Sequence, residues 1–324
     1  MYKGHTLAAV VPAYNEALQI NKVAESMPEF IDHIVIINDA STDNSAEVMA
    51  ELMQKNARVV VLTHEVNKGA GGGVVTGYKW CRDNNVDIAV TMDGDGQMDP
   101  EDLPNLLRPI VDGEADFTKG NRLISGEAYK AMPKIRYFGN AGLSMLTKIA
   151  SGYWHIADSQ TGYTAINKDA LKTIDWDQMY TRYGYPNDRL TRLNIYNFRV
   201  MDVEVRPVYN IGEVSTMKIR KAAFSIGWLV VKLFFKRMWQ KYVVRDFHPL
   251  VFFYTMSALM LLLTLILFIR VIVVWVATGH IPSINMLTML FTFTNGMFFM
   301  FMAMWMDMEN NRSLNPNRIE RRRD

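Results

Sequence analysis

The sequence is short of the features that define several protein classes. Its 324 residues include a single cysteine, Cys81, so neither a disulfide framework nor a cysteine-based zinc site can form within the chain. The residues around Cys81 suggest a helix packed in a core rather than a reactive thiol. Excess charge is almost absent. Thirty-five Lys and Arg against 33 Asp and Glu give a formal net charge of +2, so composition offers no reason to expect nucleic acid as a partner, and none is expected. Internal repeats and low-complexity segments are missing. Met1 to Glu16 lacks a long apolar stretch with a cleavage site, so a signal peptide is not expected.

Two stretches lack charge altogether. Pro249 to Ile269 is 21 residues without a charged side chain, and beyond Arg270 the apolar character continues to Thr278. Ile281 to Met306 adds 26 uncharged residues. About 20 apolar residues cross a bilayer, so each stretch is long enough, and the short link Gly279–Pro282 makes them a hairpin. Both flanks are basic, with Lys232, Lys236, Arg237, Lys241 and Arg245 before the pair and Arg318, Arg321, Arg322 and Arg323 after it. That asymmetry predicts a multi-pass membrane protein whose large N-terminal domain and tail are cytoplasmic. From Arg206 onward 15 basic residues face 6 acidic ones, whereas 20 and 27 precede it, which hints at an anionic surface near the C-terminus. The expected division is a domain at 1–222, a juxtamembrane helix at 223–246, two spans within 247–308 and a basic tail at 309–324. In the juxtamembrane segment, Lys232 and Lys236, with Arg237 and Lys241, are expected on one side. Trp228, Leu229, Leu233 and Phe234 are expected on the other, as in a helix lying among headgroups. Ile135 to Tyr153 is a second amphipathic candidate, equally readable as a core helix.

The first 210 residues alternate. Apolar strands at Leu7–Val11, His33–Asn38, Arg58–Thr63 and Ile88–Met92 precede helical stretches from Ala17, from Asp43, over 70–84 and from Glu101. Four such repeats predict an α/β domain with a mostly parallel sheet, whose ligands bind beyond the carboxyl ends of the strands. Three polar clusters fall at those ends: Pro12–Glu16, Asn38–Asp43 and TMDGDGQMDP at 91–100. In the last, Asp93, Asp95 and Asp99 crowd like charges into one turn, which a hard divalent cation would relieve. Asp99 precedes Pro100 and reads better as a helix cap. The stretch is not an EF-hand, because Met98 and Pro104 stand where a glycine and a glutamate are required. The glycine run at 67–74 fits neither the dinucleotide nor the Walker template. It reads as a flexible loop at a helix start whose N–H groups could face an anion.

VVPAYNE, VIINDASTDNS, NKGAGGGVVTGY, TMDGDGQ, KGNRL and DSQTGYTAINKDAL, in this order, resemble inverting family-two glycosyltransferases, and the last two resemble the polyprenyl-phosphate branch. The resemblance implies a GT-A nucleotide-sugar-binding domain followed by the interface helix and hairpin. It implies that Pro12, Tyr14, Glu16, Asp39, Lys68, Asp93 and Asp95 bind the nucleotide sugar. Asp93, Asp95 and Gln97 would hold Mg²⁺ or Mn²⁺, and Arg122 and Arg136 a lipid phosphate. Asp158 matches the residue assigned as catalytic base, with Asp188 its rival. Partners would be a nucleotide-diphosphate sugar, a polyprenyl or dolichyl phosphate and the bilayer of the cell or endoplasmic-reticulum membrane. A homo-tetramer is the form the family suggests.

Two departures matter. Tyr163 and Thr164 follow Gly162 where the family often has Phe-Arg, and the Gln-x-x-Arg-Trp signature of processive synthases is absent. A single transfer is therefore expected, with a UDP-sugar favoured over GDP-mannose, although Asp39 suits either base. The alternatives are transfer to a lipid or glycan hydroxyl, which would need a true base, and a non-catalytic nucleotide-sugar sensor on a retained fold.

Overall fold

Apolar runs that alternate with amphipathic helices have one economical arrangement, a sheet buried on both faces. The computed structural model describes residues 1–122, 134–206 and 219–316, with side chains described except at 134–141 and 219–224. Seven strands form one sheet there: β1 (Leu7–Ala13), β2 (His33–Asn38), β3 (Val59–Thr63), β4 (Ile88–Thr91), β5 (Phe117–Asn121), β6 (Thr164–Asn167) and β7 (Val200–Glu204). Their order is β3-β2-β1-β4-β6-β5-β7. Strands β1 to β4 pair in parallel, while β6 runs antiparallel between β4 and β5. The mostly parallel GT-A-like sheet is as expected. The second half, built on β5, β6 and β7, was not legible as strands.

The two-residue period of β1 shows how the layers form. Leu7, Ala9, Val11 and Ala13 face a core that includes Ile20, Met49, Leu103 and Leu106. Those residues come from α1 (Ile20–Glu25), α2 (Ser45–Lys55) and α4 (Leu103–Val111). Ala8 and Val10 face the other core, with Val74, Tyr78 and Cys81 of α3 (Ala70–Asp83) and Leu190 and Leu193 of a later helix, Tyr185–Ile195. Cys81 is buried there, and burial pushes its thiol well above the usual range, so it is a core residue as expected. The helix expected from Ala17 begins only at Ile20. Asn15, at φ 58°, ties the preceding loop to the next one instead, its Oδ1 accepting from the Thr42 N–H at 2.8 Å.

The glycine run is not a loose loop. It forms the first turns of α3, where a methyl at Gly77 would overlap Val10 and one at Gly73 would lie 2.8 Å from the Pro12 Cβ. The missing side chains let the helix backbone settle on β1.

Helix α5 (Lys134–Ser151), on which Arg136 falls, is described at the Arg136 position by its backbone only. Ala150 of that helix packs with Ile226 and Val230 of α8 (Ile219–Trp239); α6 (Lys168–Thr173) and α7 (Tyr185–Ile195) lie between them in sequence. The expected two-sided pattern of α8 is corrected. Lys232 is exposed and sits over the Trp228 ring, 5.7 Å from its centroid, so lysine and tryptophan share a side. Arg237 and Lys241 are buried.

Among the described residues, those up to 235 with 313–316 form one compact unit and residues 236–312 another. In the second, α9 (Leu250–Thr278) and α10 (Ser283–Asn310) are both long and apolar enough to cross a membrane. Gly279, at φ 70°, caps α9 in the left-handed conformation. The Ser257 hydroxyl donates to the Gly296 carbonyl at 2.9 Å, and Thr264 meets Thr292 at 2.9 Å. Small residues at such a crossing let helix backbones approach.

The buried Arg237 finds its partner in the last turn of α10. Its Nη1 and Nη2 donate to the two Asp307 oxygens at 2.7 and 2.9 Å, and both residues are fully buried. The Tyr242 hydroxyl adds a 2.6 Å bond to Asp307, and Lys241 donates to Asn311 at 2.7 Å. Burial by itself would lower the Arg237 pKa, but the carboxylate overrides it and raises the value. Asp307→Leu, which leaves a buried unpaired guanidinium, should cost about 3–5 kcal/mol. Arg237→Met with Asp307→Leu should recover most of that loss. Thermal unfolding of both variants in detergent checks this, and equal losses would contradict it.

Candidate active site

The strand order reverses between β1 and β4: β2 and β3 continue on one side of β1, β6 and β5 on the other side of β4. A parallel sheet opens a crevice at such a point, beyond the strand ends. The three polar clusters meet there. Asp93 follows β4, and its neighbour Gly94 donates to the Pro12 carbonyl at 3.2 Å. Pro12 is buried in β1, Tyr14 is exposed just past it, and Glu16 is half-buried. Asp95 accepts from the Gln97 N–H at 3.0 Å. The structure thus gathers Pro12, Tyr14, Glu16, Asp93, Asp95 and Gln97 at one edge.

Like charges are costly there. Burial raises the Glu16 pKa to about 7, with Asp95 and then Asp43 adding repulsion. Asp93 is likewise pushed up to about 7, by burial and then by Asp95, while Arg189 and Arg122 pull it down. The donor set is all oxygen and suits a hard divalent cation. Among the described residues no three His, Cys, Asp or Glu side chains close into a metal cage. A site of one or two carboxylates completed by substrate phosphates, the usual Mg²⁺ arrangement, fits that geometry. Asp99 accepts from the Glu101 N–H at 2.9 Å and caps the turn at Pro100, as expected.

Asp39 stands beside this cluster with its carboxylate engaged. It is buried, and its Oδ1 lies 2.6 Å from His64 Nδ1 and accepts from the Lys68 N–H at 2.8 Å. Its Oδ2 accepts from the Gly69 N–H at 2.7 Å. The anion that faces the glycine-loop backbone is therefore this carboxylate. The Lys68 side chain is exposed, and His64 Nε2 reaches Thr76 at 2.8 Å. His64 carries no motif and was not anticipated.

A second group lies along the loop from Asp158 to Gly162. Arg122 grips Asp158 through two bonds, Nε to Oδ2 at 2.8 Å and Nη2 to Oδ1 at 3.3 Å. Burial alone would raise Asp158, yet the guanidinium more than reverses this and holds the carboxyl below its usual range. Lys119 donates to the Thr161 carbonyl at 2.5 Å from the interior. Burial, and then repulsion from Arg189, lower its pKa to about 7. Asp202 accepts from Asn121 and from the Ala157 N–H, both at 2.7 Å. Gly162 closes the loop against the first group: a methyl there would lie 2.8 Å from Asp93 Oδ2. Lys119 and Asn121 adjoin Arg122 in KGNR, but nothing in the sequence marked Asp202.

Asp188, the rival carboxylate, is occupied elsewhere. It accepts from the Tyr180 N–H at 2.7 Å and from Arg192 Nε at 3.1 Å, which makes it a clamp between its own helix and the preceding loop. The Arg136 side chain lies outside the described residues.

The model of the family described as Glycosyl transferase family 2 matches residues 8–175. Among curated proteins, the chain is 32% identical over 213 residues to the UDP-N-acetylglucosamine–dolichyl-phosphate N-acetylglucosaminyltransferase of Methanococcus voltae, covering 62% of this chain and 84% of that one. It is 26% identical over 227 residues to the polyprenol monophosphomannose synthase of Mycolicibacterium smegmatis, covering 67% and 84%. Among solved structures, glucosyl-3-phosphoglycerate synthase from Mycobacterium tuberculosis, in complex with Mn²⁺, UDP and glucosyl-3-phosphoglycerate, superposes with a TM-score of 0.52 at 16% identity. That match covers 72% of this chain and 80% of the other. At that identity the likeness establishes the fold.

The raised Glu16 pKa sets a sign for stability. A carboxylic acid that holds its proton more tightly when folded loses stability as pH rises from about 4.5 to about 7. In metal-free buffer Glu16→Gln should therefore match the parent below pH 4 and melt at a higher temperature above pH 7. Melting curves across that range check it; a constant difference at all pH values would contradict the desolvated-carboxylate account.

Proposed function

Because the chain belongs to glycosyl transferase family 2, within its polyprenyl-phosphate branch, we propose that it moves one sugar from a UDP-sugar to a polyprenyl or dolichyl phosphate with inversion. The observation that carries this reading is the two-pronged Arg122–Asp158 pair, joined by one short loop to the glycine that touches Asp93. An acceptor phosphate is already anionic near neutrality, so it needs a held cation more than a base. A carboxylate kept below its usual range is a weak base but a firm anchor for a guanidinium. In this reading Asp158 orients Arg122, and Arg122 receives the lipid phosphate. The rival with a hydroxyl acceptor would need Asp158 or Asp188 to take a proton, which the low pKa of the first and the clamped geometry of the second oppose.

Pro12, Tyr14, Glu16, Asp93 and Asp95 form the donor side. Asp39 supports it through the loop it anchors, and Lys68 extends from that loop. UDP as the nucleotide is supported by the name of the Methanococcus relative. Asp93, Asp95 and Gln97 would hold Mg²⁺ or Mn²⁺, and the bound ion would supply Lewis-acid neutralisation of the departing diphosphate. Attack from the face opposite that diphosphate inverts the anomeric centre.

For the hairpin, we propose that residues 1–246 and the tail from 309 lie on the cytoplasmic side of the membrane. Protease added to sealed inside-out vesicles should remove the domain and leave a protected fragment near 247–308. Protection of the whole chain would reverse the orientation.

The acceptor assignment is tested by two reactions measured side by side, lipid-dependent transfer and lipid-independent hydrolysis of the UDP-sugar. Arg122→Ala should raise the apparent lipid KM or lower kcat for transfer while hydrolysis survives. Asp158→Asn should do the same more mildly, short of the roughly 10²–10⁴-fold loss that follows removal of a general base. Equal loss of both reactions in Arg122→Ala would assign that residue to the donor or the fold.

A further inference from the structure

Beneath the acidic cluster lies a guanidinium whose hydrogen bonding is unfinished. Arg189 of α7 is fully buried, and its Nη1 donates to the Tyr78 hydroxyl at 2.8 Å. Among the described residues its Nε and Nη2, both buried, meet no hydrogen-bond partner. Aromatic rings flank it instead, with Cζ 5.0 Å from the Phe117 centroid and 5.4 Å from that of Tyr185. Rings attract a cation, but they return only part of what an ion loses on leaving water. A buried cation left in this state calls for an explanation beyond packing.

An explanation lies at the crevice. Arg189, like Arg122, is a cation set close enough to Asp93 for its charge to be felt there. Two contact routes lead the same way. The Tyr78 hydroxyl that holds Arg189 also meets Thr91 Oγ1 at 2.9 Å, two residues before Asp93. The Tyr185 hydroxyl lies 3.1 Å from the point where a Gly162 methyl would sit, and Asp93 Oδ2 lies 2.8 Å from that point. Arg189 therefore reaches the strand end through Tyr78 and sits over the Tyr185 ring, whose hydroxyl borders the same space as Asp93.

We propose that Arg189 is a positioning residue of the donor site, a fixed buried cation behind the Asp93 strand end that biases the crevice toward a nucleoside diphosphate over a bare divalent cation. The assignment rests on the donor side described under the proposed function. It extends that reading to a side chain outside the matched motifs, set behind the carboxylates rather than among the ligands.

Such a charge acts with opposite sign on the two things the crevice would bind. It repels a free divalent cation and attracts a diphosphate. Neutral Arg189→Met and Arg189→Gln should therefore tighten Mn²⁺ binding to the nucleotide-free protein and weaken UDP binding without metal. Each change should be about 3- to 30-fold, as expected for one charge acting through a partly polarisable interior. Arg189→Lys, which keeps the charge, should stay near the parent in both. The measurements are calorimetric titrations of the full-length protein in detergent, with Mn²⁺ alone and with UDP plus chelator, alongside melting temperatures. Arg189→Gln retains a donor for Tyr78 and serves if the methionine variant does not fold. Opposite shifts in the neutral variants support the proposal. No shift, or parallel weakening of both ligands together with a lower melting temperature, would overturn it and leave Arg189 a structural residue. A parent protein that bound neither UDP nor Mn²⁺ would instead sink the donor reading, and this proposal with it.

Discussion

Negative charge concentrated where β1, β2 and β4 end is the constraint around which the domain is organised. A sheet of apolar strands delivers Asp39, Asp93 and Asp95 to one edge, with Glu16 beside them, in surroundings too dry to solvate them all. Each carboxylate is managed differently. Asp39 accepts from two backbone N–H groups and lies 2.6 Å from His64, so it anchors the start of α3. Asp158 takes a guanidinium and stays ionised. Asp93 and Glu16 remain raised, which leaves an appetite for positive charge at the place where a diphosphate and its counter-ion would arrive.

The cations are layered to suit. Arg122, on the proposed acceptor side, is about one-fifth exposed, while Lys119 and Arg189 lie wholly inside. Surface charge can trade partners with a ligand, whereas interior charge can only set the potential. One short loop, Asp158–Gly162, joins the two sides, with its far end packed so tightly on Asp93 that only a glycine fits.

The hairpin unit obeys the same electrostatic logic in drier surroundings. Arg237 would be intolerable in the buried face of a helix were it not met two-pronged by Asp307 at the end of the second apolar helix. Tyr242, Lys241 and Asn311 complete the polar cluster, so the segment before the first span and the end of the second are held in one register. Replacing such a buried pair by apolar side chains is often close to neutral for stability, whereas stranding one of its charges is costly.

Much of the protein was legible in the linear sequence because local rules govern it. Four strand–helix repeats, two uncharged stretches long enough to span a bilayer, the Asp99 cap and the core placement of Cys81 depend on periodicity, length and immediate neighbours. The candidate donor residues were also legible, since strand ends of a parallel sheet converge by topology. What only the tertiary structure decided is pairing. Arg122 and Asp158 are 36 residues apart, and Arg237 and Asp307 are 70 apart. Asp39 reaches a histidine from another strand end, and Arg189 sits behind Asp93 through rings on separate elements. No spacing rule encodes such partners, and without them a basic residue reads as surface charge and an acidic one as a ligand or a base. Burial reverses those readings, because the cost of removing an ion from water forces each charge to be read together with the group that meets it.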